Sequence, residues 1–221
     1  GTDNLRILYL KDNLITSICP DFISSFQNMI MISLSGNSLS DLSTELHNST
    51  GSLLFLDIAQ NRLSSLRGSQ FLPMKNVRDI DLSQNLLSHI DIEVFQSLDN
   101  LSVLRLHQNN LKLLPTGIFT GLDKLTNLTL HTNQLSNLPD GIFDDLKGFS
   151  YLYLNNNYLS NLSHRVFNHT HNLTELYLHN NKITMLDADV FAKLTRLSIL
   201  TLNDNLLTAL EPDAFHGLIN L

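Results

Sequence analysis

Apolar residues recur along this chain with a long period superimposed on a short one. Around Asn109 the apolar order is Leu101, Leu104, Leu106, Leu111 and Leu114, then Phe119 and Leu122, and the same spacing returns 24 residues to either side. The unit reads LxxLxLxxNxLxxLxxxxFxxLxx. Within it Leu104-Arg105-Leu106 alternates with period two, so two leucines point to one face and Arg105 to the other, as a short half-buried strand requires. A strand that returns at this interval must pair with its neighbour in parallel, because the rest of the unit is the crossover to the same edge. No single turn buries its leucines alone, so stability has to come from stacking each repeat on the next.

Two further columns keep the period. Asparagine recurs at Asn13, Asn37, Asn61, Asn85, Asn109, Asn133, Asn157, Asn181 and Asn205. Its amide both donates and accepts, which suits backbone groups left unpaired where the chain bends out of the strand, and the recurrence predicts a ladder of such amides. Phenylalanine recurs at Phe71, Phe95, Phe119, Phe143, Phe167, Phe191 and Phe215 and is expected to stack as a spine on the return side. Strands lie about 4.8 Å apart, while phenyl rings and their loops need more room, so the array should curve with the sheet on its concave face. The first two repeats carry Ile23 and His47 at the spine position, with Phe22 and Leu46 one place early, which predicts reshaped convex loops there. Pro115 and Pro139 fix turn geometry just after the last leucine of their repeats.

This unit is identified as a leucine-rich repeat. Its 24-residue length and single Phe resemble the typical subfamily of extracellular animal proteins. The chain divides into nine repeats at 5–28, 29–52, 53–76, 77–100, 101–124, 125–148, 149–172, 173–196 and 197–220. The expected fold is an α/β-type repeat solenoid: a curved horseshoe with a concave parallel β-sheet and a convex side of loops and short helical turns. Both ends fall at the same phase of the unit, and the array is expected to be uncapped there, as a segment of a longer one.

These repeats resemble those of Toll-family receptor ectodomains, of leucine-rich-repeat hormone and neuronal receptors, and of variable lymphocyte receptors, whose repeats also contain phrases like LPDGIFDDL, here at residues 138–146. What the resemblance implies is an extracellular or cell-surface binding scaffold that recognises a protein ligand, with signalling performed by parts outside this segment. The irregular early repeats and dispersed glycosylation triplets favour the Toll-like kind. An adhesion or matrix protein, or a secreted carrier subunit, is built on the same repeats and is the alternative. Homo- or heterodimers of receptor chains are a further expectation.

Composition narrows the partners. A net charge of -7 with no run of Lys or Arg makes nucleic acid an unlikely partner. The longest apolar stretches, such as Met29-Ile30-Met31-Ile32, fall far short of the roughly 20 residues that cross a bilayer. Any membrane attachment would lie outside the segment. The lone Cys19 excludes an intramolecular disulfide framework. Neither a Gly-rich phosphate loop, a GxSxG elbow nor an HExxH motif occurs, and the carboxylates Asp57, Asp79 and Asp81 lie on an open face, so no catalytic residue, cofactor or metal is expected.

The variable positions of LxxLxLxxN supply the candidate ligand-binding residues. They are Arg105, His107, His131, Tyr151, Tyr153, Glu175, Tyr177 and His179, all on the concave face. Tyrosine offers large amphipathic contact area at low entropic cost, and aromatic clusters are enriched at protein interfaces. His107 and His131 occupy equivalent places on adjacent strands, but only Asn155 and His179 follow in their column, too few for a zinc site. Ile7, Met31 and Phe55, with Ile30 and Leu54, are expected to make the concave face of the first repeats apolar. Six Asn-x-Ser/Thr triplets mark Asn48, Asn100, Asn127, Asn161, Asn168 and Asn172 as candidate glycosylation sites. A glycan on Asn127 would sit on the concave face and obstruct it.

Overall fold

The computed structural model describes residues 4–19, 22, 26–42, 50–68, 70–72 and 74–221. Among the described residues eleven short strands follow one another: β1 (Ile7–Tyr9), β2 (Met31–Ser33), β3 (Phe55–Asp57), β4 (Ser65–Leu66), β5 (Asp79–Asp81), β6 (His89–Ile90), β7 (Val103–Arg105), β8 (Asn127–Thr129), β9 (Tyr151–Tyr153), β10 (Glu175–Tyr177) and β11 (Ile199–Thr201). All except β4 and β6 form one parallel sheet whose strand order follows the chain. Register is fixed by the repeat, with Leu104 opposite Leu128, Leu128 opposite Leu152 and Leu152 opposite Leu176. These middle residues point inward and are fully buried, while the flanking strand residues line the concave face.

Each strand of this sheet ends because the chain turns left-handed three residues later. Asp12, Gly36, Gln60, Gln84, Gln108, Thr132, Asn156, Asn180 and Asp204, each just before a ladder asparagine, have φ between 53° and 67°. Their amides still reach the next repeat: Gln84 donates to the His107 carbonyl and Gln108 to that of His131, both at 3.0 Å. The asparagine that follows closes the bend. Nδ2 of Asn109 donates to the carbonyls of Leu106 (3.1 Å), His107 (3.3 Å) and Leu82 in the preceding repeat (3.1 Å), and its Oδ1 accepts the amide of Leu87 at 2.9 Å. The same set recurs from Asn37 to Asn205. Asn13 bonds only its own bend, at the carbonyls of Leu10 and Lys11.

On the convex side Phe71, Phe95, Phe119, Phe143, Phe167 and Phe191 are buried to within 1%. The stacked pairs Phe71–Phe95, Phe119–Phe143, Phe143–Phe167 and Phe191–Phe215 and the tilted pair Phe167–Phe191 have centroids 6.1–6.4 Å apart, against about 4.8 Å between strands. The difference of roughly 1.4 Å per repeat bends the array around its sheet. Returns between Phe and the next strand are loops and hydrogen-bonded turns, and among the described residues helical character in the returns is slight, as in the 3-10 element Thr50–Ser52. The reshaped spine expected at Ile23 and His47 lies outside the described residues.

Strands β4 and β6 add a second small parallel sheet on the way to the convex side, with Ser65 opposite His89 and Leu66 opposite Ile90. The Asp91 amide continues it by donating to the Leu66 carbonyl at 2.9 Å. The next two repeats place Pro115 and Pro139 at that phase, and proline has no amide hydrogen to extend the sheet.

Candidate functional site

The sheet carries its candidate residues on the concave side because period two sends the outer two residues of every strand away from the leucine core. Parallel in-register pairing then lines up equivalent residues of neighbouring repeats. From the repeat of β7 to that of β10 this builds a continuous band of rings. His107 and His131 stack with centroids 4.4 Å apart and planes 20° from parallel. His131 meets the edge of Tyr153 at 6.4 Å, Tyr153 stacks on Tyr177 at 4.7 Å with planes 5° apart, and Tyr177 meets His179 edge-on at 6.3 Å. Five of the eight predicted residues therefore touch in series.

Hydroxyl groups that the sequence reading left out hold the imidazoles. His107 Nδ1 lies 2.9 Å from the Thr129 hydroxyl, His179 Nδ1 2.8 Å from that of Thr201, and His131 Nδ1 3.2 Å from that of Thr132. With Nδ1 engaged, the ring nitrogen left to meet a ligand is Nε2 in all three. A signal for this was present: threonine stands 22 residues after His107 and after His179, diagonally across one strand pair.

Burial and mutual proximity set the electrostatics. Burial first, then the neighbouring His107 and His179, pull His131 down from 6.5 to about 4, so it is neutral at physiological pH. Burial also lowers His107, with Asp81 pulling the other way. Tyr177 donates its hydroxyl to Glu175 Oε2 at 2.8 Å, and that bond, ahead of burial, pushes the phenol up to about 12. Tyr153 is raised mainly by burial. His131 is thus neutral at physiological pH, and Glu175 is engaged by a tyrosine of its own strand.

The other predicted residues part from it. Arg105 pairs with Asp79 and lies 4.0 Å from Asp81, so its charge belongs to the acidic group of β3 and β5 rather than to the histidines. Asp57 accepts the Ser33 hydroxyl at 2.6 Å and the Ala59 amide at 3.1 Å, and Asp81 accepts the amide and hydroxyl of Ser83 at 2.9 and 2.6 Å. Tyr151 stands in the outer column beside Asn127 and Glu175 and is 38% exposed. The apolar patch expected on the first repeats divides in two. Met31 and Phe55 line a concave hollow with Asp57, Asp79, Asp81 and Arg105. Ile30 and Leu54 precede their strands and line a different hollow with Asn4, Arg6, Asn28 and Ser52. Among the described residues no group of three or more His, Cys, Asp or Glu is placed to hold a metal ion, and no helix is long and apolar enough to cross a membrane.

Among solved structures the fold is similar to that of a leucine-rich repeat protein of Leptospira interrogans, at 28% identity and TM-score 0.81, covering 94% of this chain and 50% of that one. It is also similar to an internalin of Listeria monocytogenes, at 23% identity and TM-score 0.66, covering 99% of this chain and 66% of that one; that likeness shows fold alone. The chain thus spans about half of the Leptospira protein. No curated protein matches it. The leucine rich repeat family model matches at residues 3–53, 52–111, 76–135, 123–183 and 171–221, and this family is a protein-interaction fold with no catalytic family indicated. A nine-strand parallel solenoid, an asparagine ladder and family matches along its whole length make this chain a member of the leucine-rich repeat family.

Proposed function

We propose that this array is a protein-recognition segment of an extracellular or cell-surface receptor, contacting its ligand through the band from His107 to His179. The observation that carries the proposal is the unbroken series of stacked and edge-on rings on the concave face. Its members are already ordered by one another, so a ligand docking there finds rigid amphipathic groups at little further entropic cost. Built of imidazoles and phenols, the band suits desolvation under a protein partner better than the carboxylates and guanidinium around Asp79 and Asp81 do. The extracellular setting is supported by the resemblance of the 24-residue unit and of LPDGIFDDL at residues 138–146, and the Toll-like kind of receptor by the irregular early repeats and the dispersed glycosylation triplets.

The test begins with a binder selected from secreted and surface proteins of the source, whose affinity is then remeasured on variants. Tyr153→Ala with Tyr177→Ala should weaken it by at least about 1 kcal/mol, the level that marks meaningful interface residues. Lys147→Ala, an exposed change at the Asp123 ion pair outside the band, should leave it unchanged. Full affinity in the tyrosine double variant with an intact fold removes the band as the ligand site.

A further inference from the structure

Five of the six Asn-x-Ser/Thr triplets fall on described residues, with Asn48 outside them, and the fold gives the five amides different surroundings. Asn127 lies in β8 between Val103 and Tyr151, its partners in register. Its Oδ1 is closed off from solvent and no donor reaches it. A sugar bonded to Nδ2 shares one rigid planar group with that oxygen, so attaching it means lifting the whole amide out of the sheet surface. Asn100 and Asn172 share a phase of the repeat and use Nδ2 to tie repeats together, donating to the carbonyls of Lys75 at 2.9 Å and Lys147 at 2.7 Å. Asn76 and Asn220 stand at the same phase outside any triplet and make the equivalent bond, to Gly51 and Thr195. Asparagine at this phase is therefore a second structural ladder, and its two triplets arise because a core leucine and a hydroxyl residue happen to follow.

The seventh repeat differs. Asn161 is exposed between the buried Leu159 and Leu162 and has no hydrogen-bond partner among the described residues. Asn168 follows the buried Phe167, is likewise without a partner, and borders a hollow of about 250 Å³ lined by His164, Asp189, Ala192, Lys193 and His216. That lining offers donors and an acceptor to the hydroxyls and acetamide of a first N-acetylglucosamine.

We infer that the folded chain carries N-linked glycans at Asn161 and Asn168 and leaves Asn100, Asn127 and Asn172 bare, so that among the described triplets sugar is confined to the flank and back of one repeat. The inference rests on the reading of the chain as an exported protein. Attachment precedes closure of the turn: Thr170, whose hydroxyl the triplet requires, is buried in the finished fold with Oγ1 donating to the Phe167 carbonyl at 3.0 Å. The fold then acts as a filter, since sugar on an outward amide leaves packing intact while sugar on Asn127 keeps β8 from seating. A bare concave sheet also leaves the ring band open to a ligand.

Secretion of this chain from a eukaryotic host behind an export leader, then enzymatic release of N-glycans in heavy-oxygen water and peptide mass spectrometry, reads each site separately. Labelled aspartate should appear at Asn161 and Asn168 in most of the folded, monomeric material and at none of the other three. Label at Asn100, Asn127 or Asn172 in most of that material, or at neither Asn161 nor Asn168, overturns the inference. Because the host supplies export, the map does not depend on where the chain resides in its own cells. Failure of the band to bind a ligand leaves the map unchanged.

Discussion

Rings line both sides of this array at the same period, and the two rows are built differently. On the convex side phenyl rings of successive repeats lie 6.1–6.4 Å apart and are buried up to Phe191. On the concave side His107 and His131 stack at 4.4 Å and Tyr153 and Tyr177 at 4.7 Å, close to the strand spacing. The convex row repeats one residue type because every ring fills the same kind of space in the core. The concave row changes from repeat to repeat because nothing in the core constrains it. The spacing difference is the curvature, and it presses the concave rings together while holding the convex ones apart.

The largest expected effect breaks the convex row. Phe143 is fully buried and packs against Phe119, Phe149 and Phe167 with centroids 6.1, 5.5 and 6.2 Å away. Phe143→Ala should destabilise the fold by about 3–5 kcal/mol, the range for truncating a buried phenyl ring. Denaturant unfolding measures it. A loss below about 1 kcal/mol would show that neighbouring loops collapse into the space and that the row does not set the curvature.

Next comes the ladder behind the concave face. Asn109→Leu strands three carbonyls and one amide that its side chain now satisfies, across two repeats. A cost on the order of 1–3 kcal/mol is expected for leaving buried backbone groups unpaired. Asn13→Leu should cost less, because Asn13 bonds two carbonyls of its own bend and is exposed. Equal losses at the two positions would mean that the bonds to the preceding repeat contribute nothing.

How much of this was legible depended on periodicity. Residues that face the core could be placed from spacing alone: the leucines, the ladder asparagines and the phenylalanines all stand where the 24-residue period puts them. Concave residues could be assigned to strands, but not paired. Arg105 was counted among the ligand-binding residues of the concave face, yet its reach carries it two residues and one strand away to Asp79, a diagonal that a column does not reveal. Ile30 and Leu54 were assigned to the concave face by proximity in sequence, although a residue one place before a strand need not share its face. The second small sheet was readable in principle, since Arg67 and Asp91 have an amide hydrogen where Pro115 and Pro139 have none.

A smaller effect concerns the left-handed residue at each bend. Glycine, asparagine, aspartate or glutamine fills it everywhere except at Thr132, whose φ is 55°. A β-branched side chain is unusual in that conformation. Thr132→Asn, the residue type of the equivalent Asn156 and Asn180, should stabilise the fold by up to about 1 kcal/mol, the lower end of such strain. A destabilisation would mean that the hydroxyl bond to His131 Nδ1 at 3.2 Å outweighs the backbone strain.

The finest probe separates the two rows by titration, since only the concave one contains ionisable rings. Burial and the neighbouring imidazoles hold folded His131 at about 4, against the 6.5 of a free side chain. Between those values the unfolded chain binds more protons than the folded one, so stability rises with pH through this window and falls as the solution is acidified. His131→Asn, which places there the residue found one repeat later at Asn155, removes this contribution. Unfolding free energies of the wild type and the variant should therefore diverge in the wild type's favour as pH is raised from about 4 to about 6.5. The slope will be shallow, because His131 is partly exposed and rings can part to admit water. Parallel curves would mean that the imidazole stack opens freely in the folded protein, and the ordered surface on which ligand recognition is argued would be lost with it.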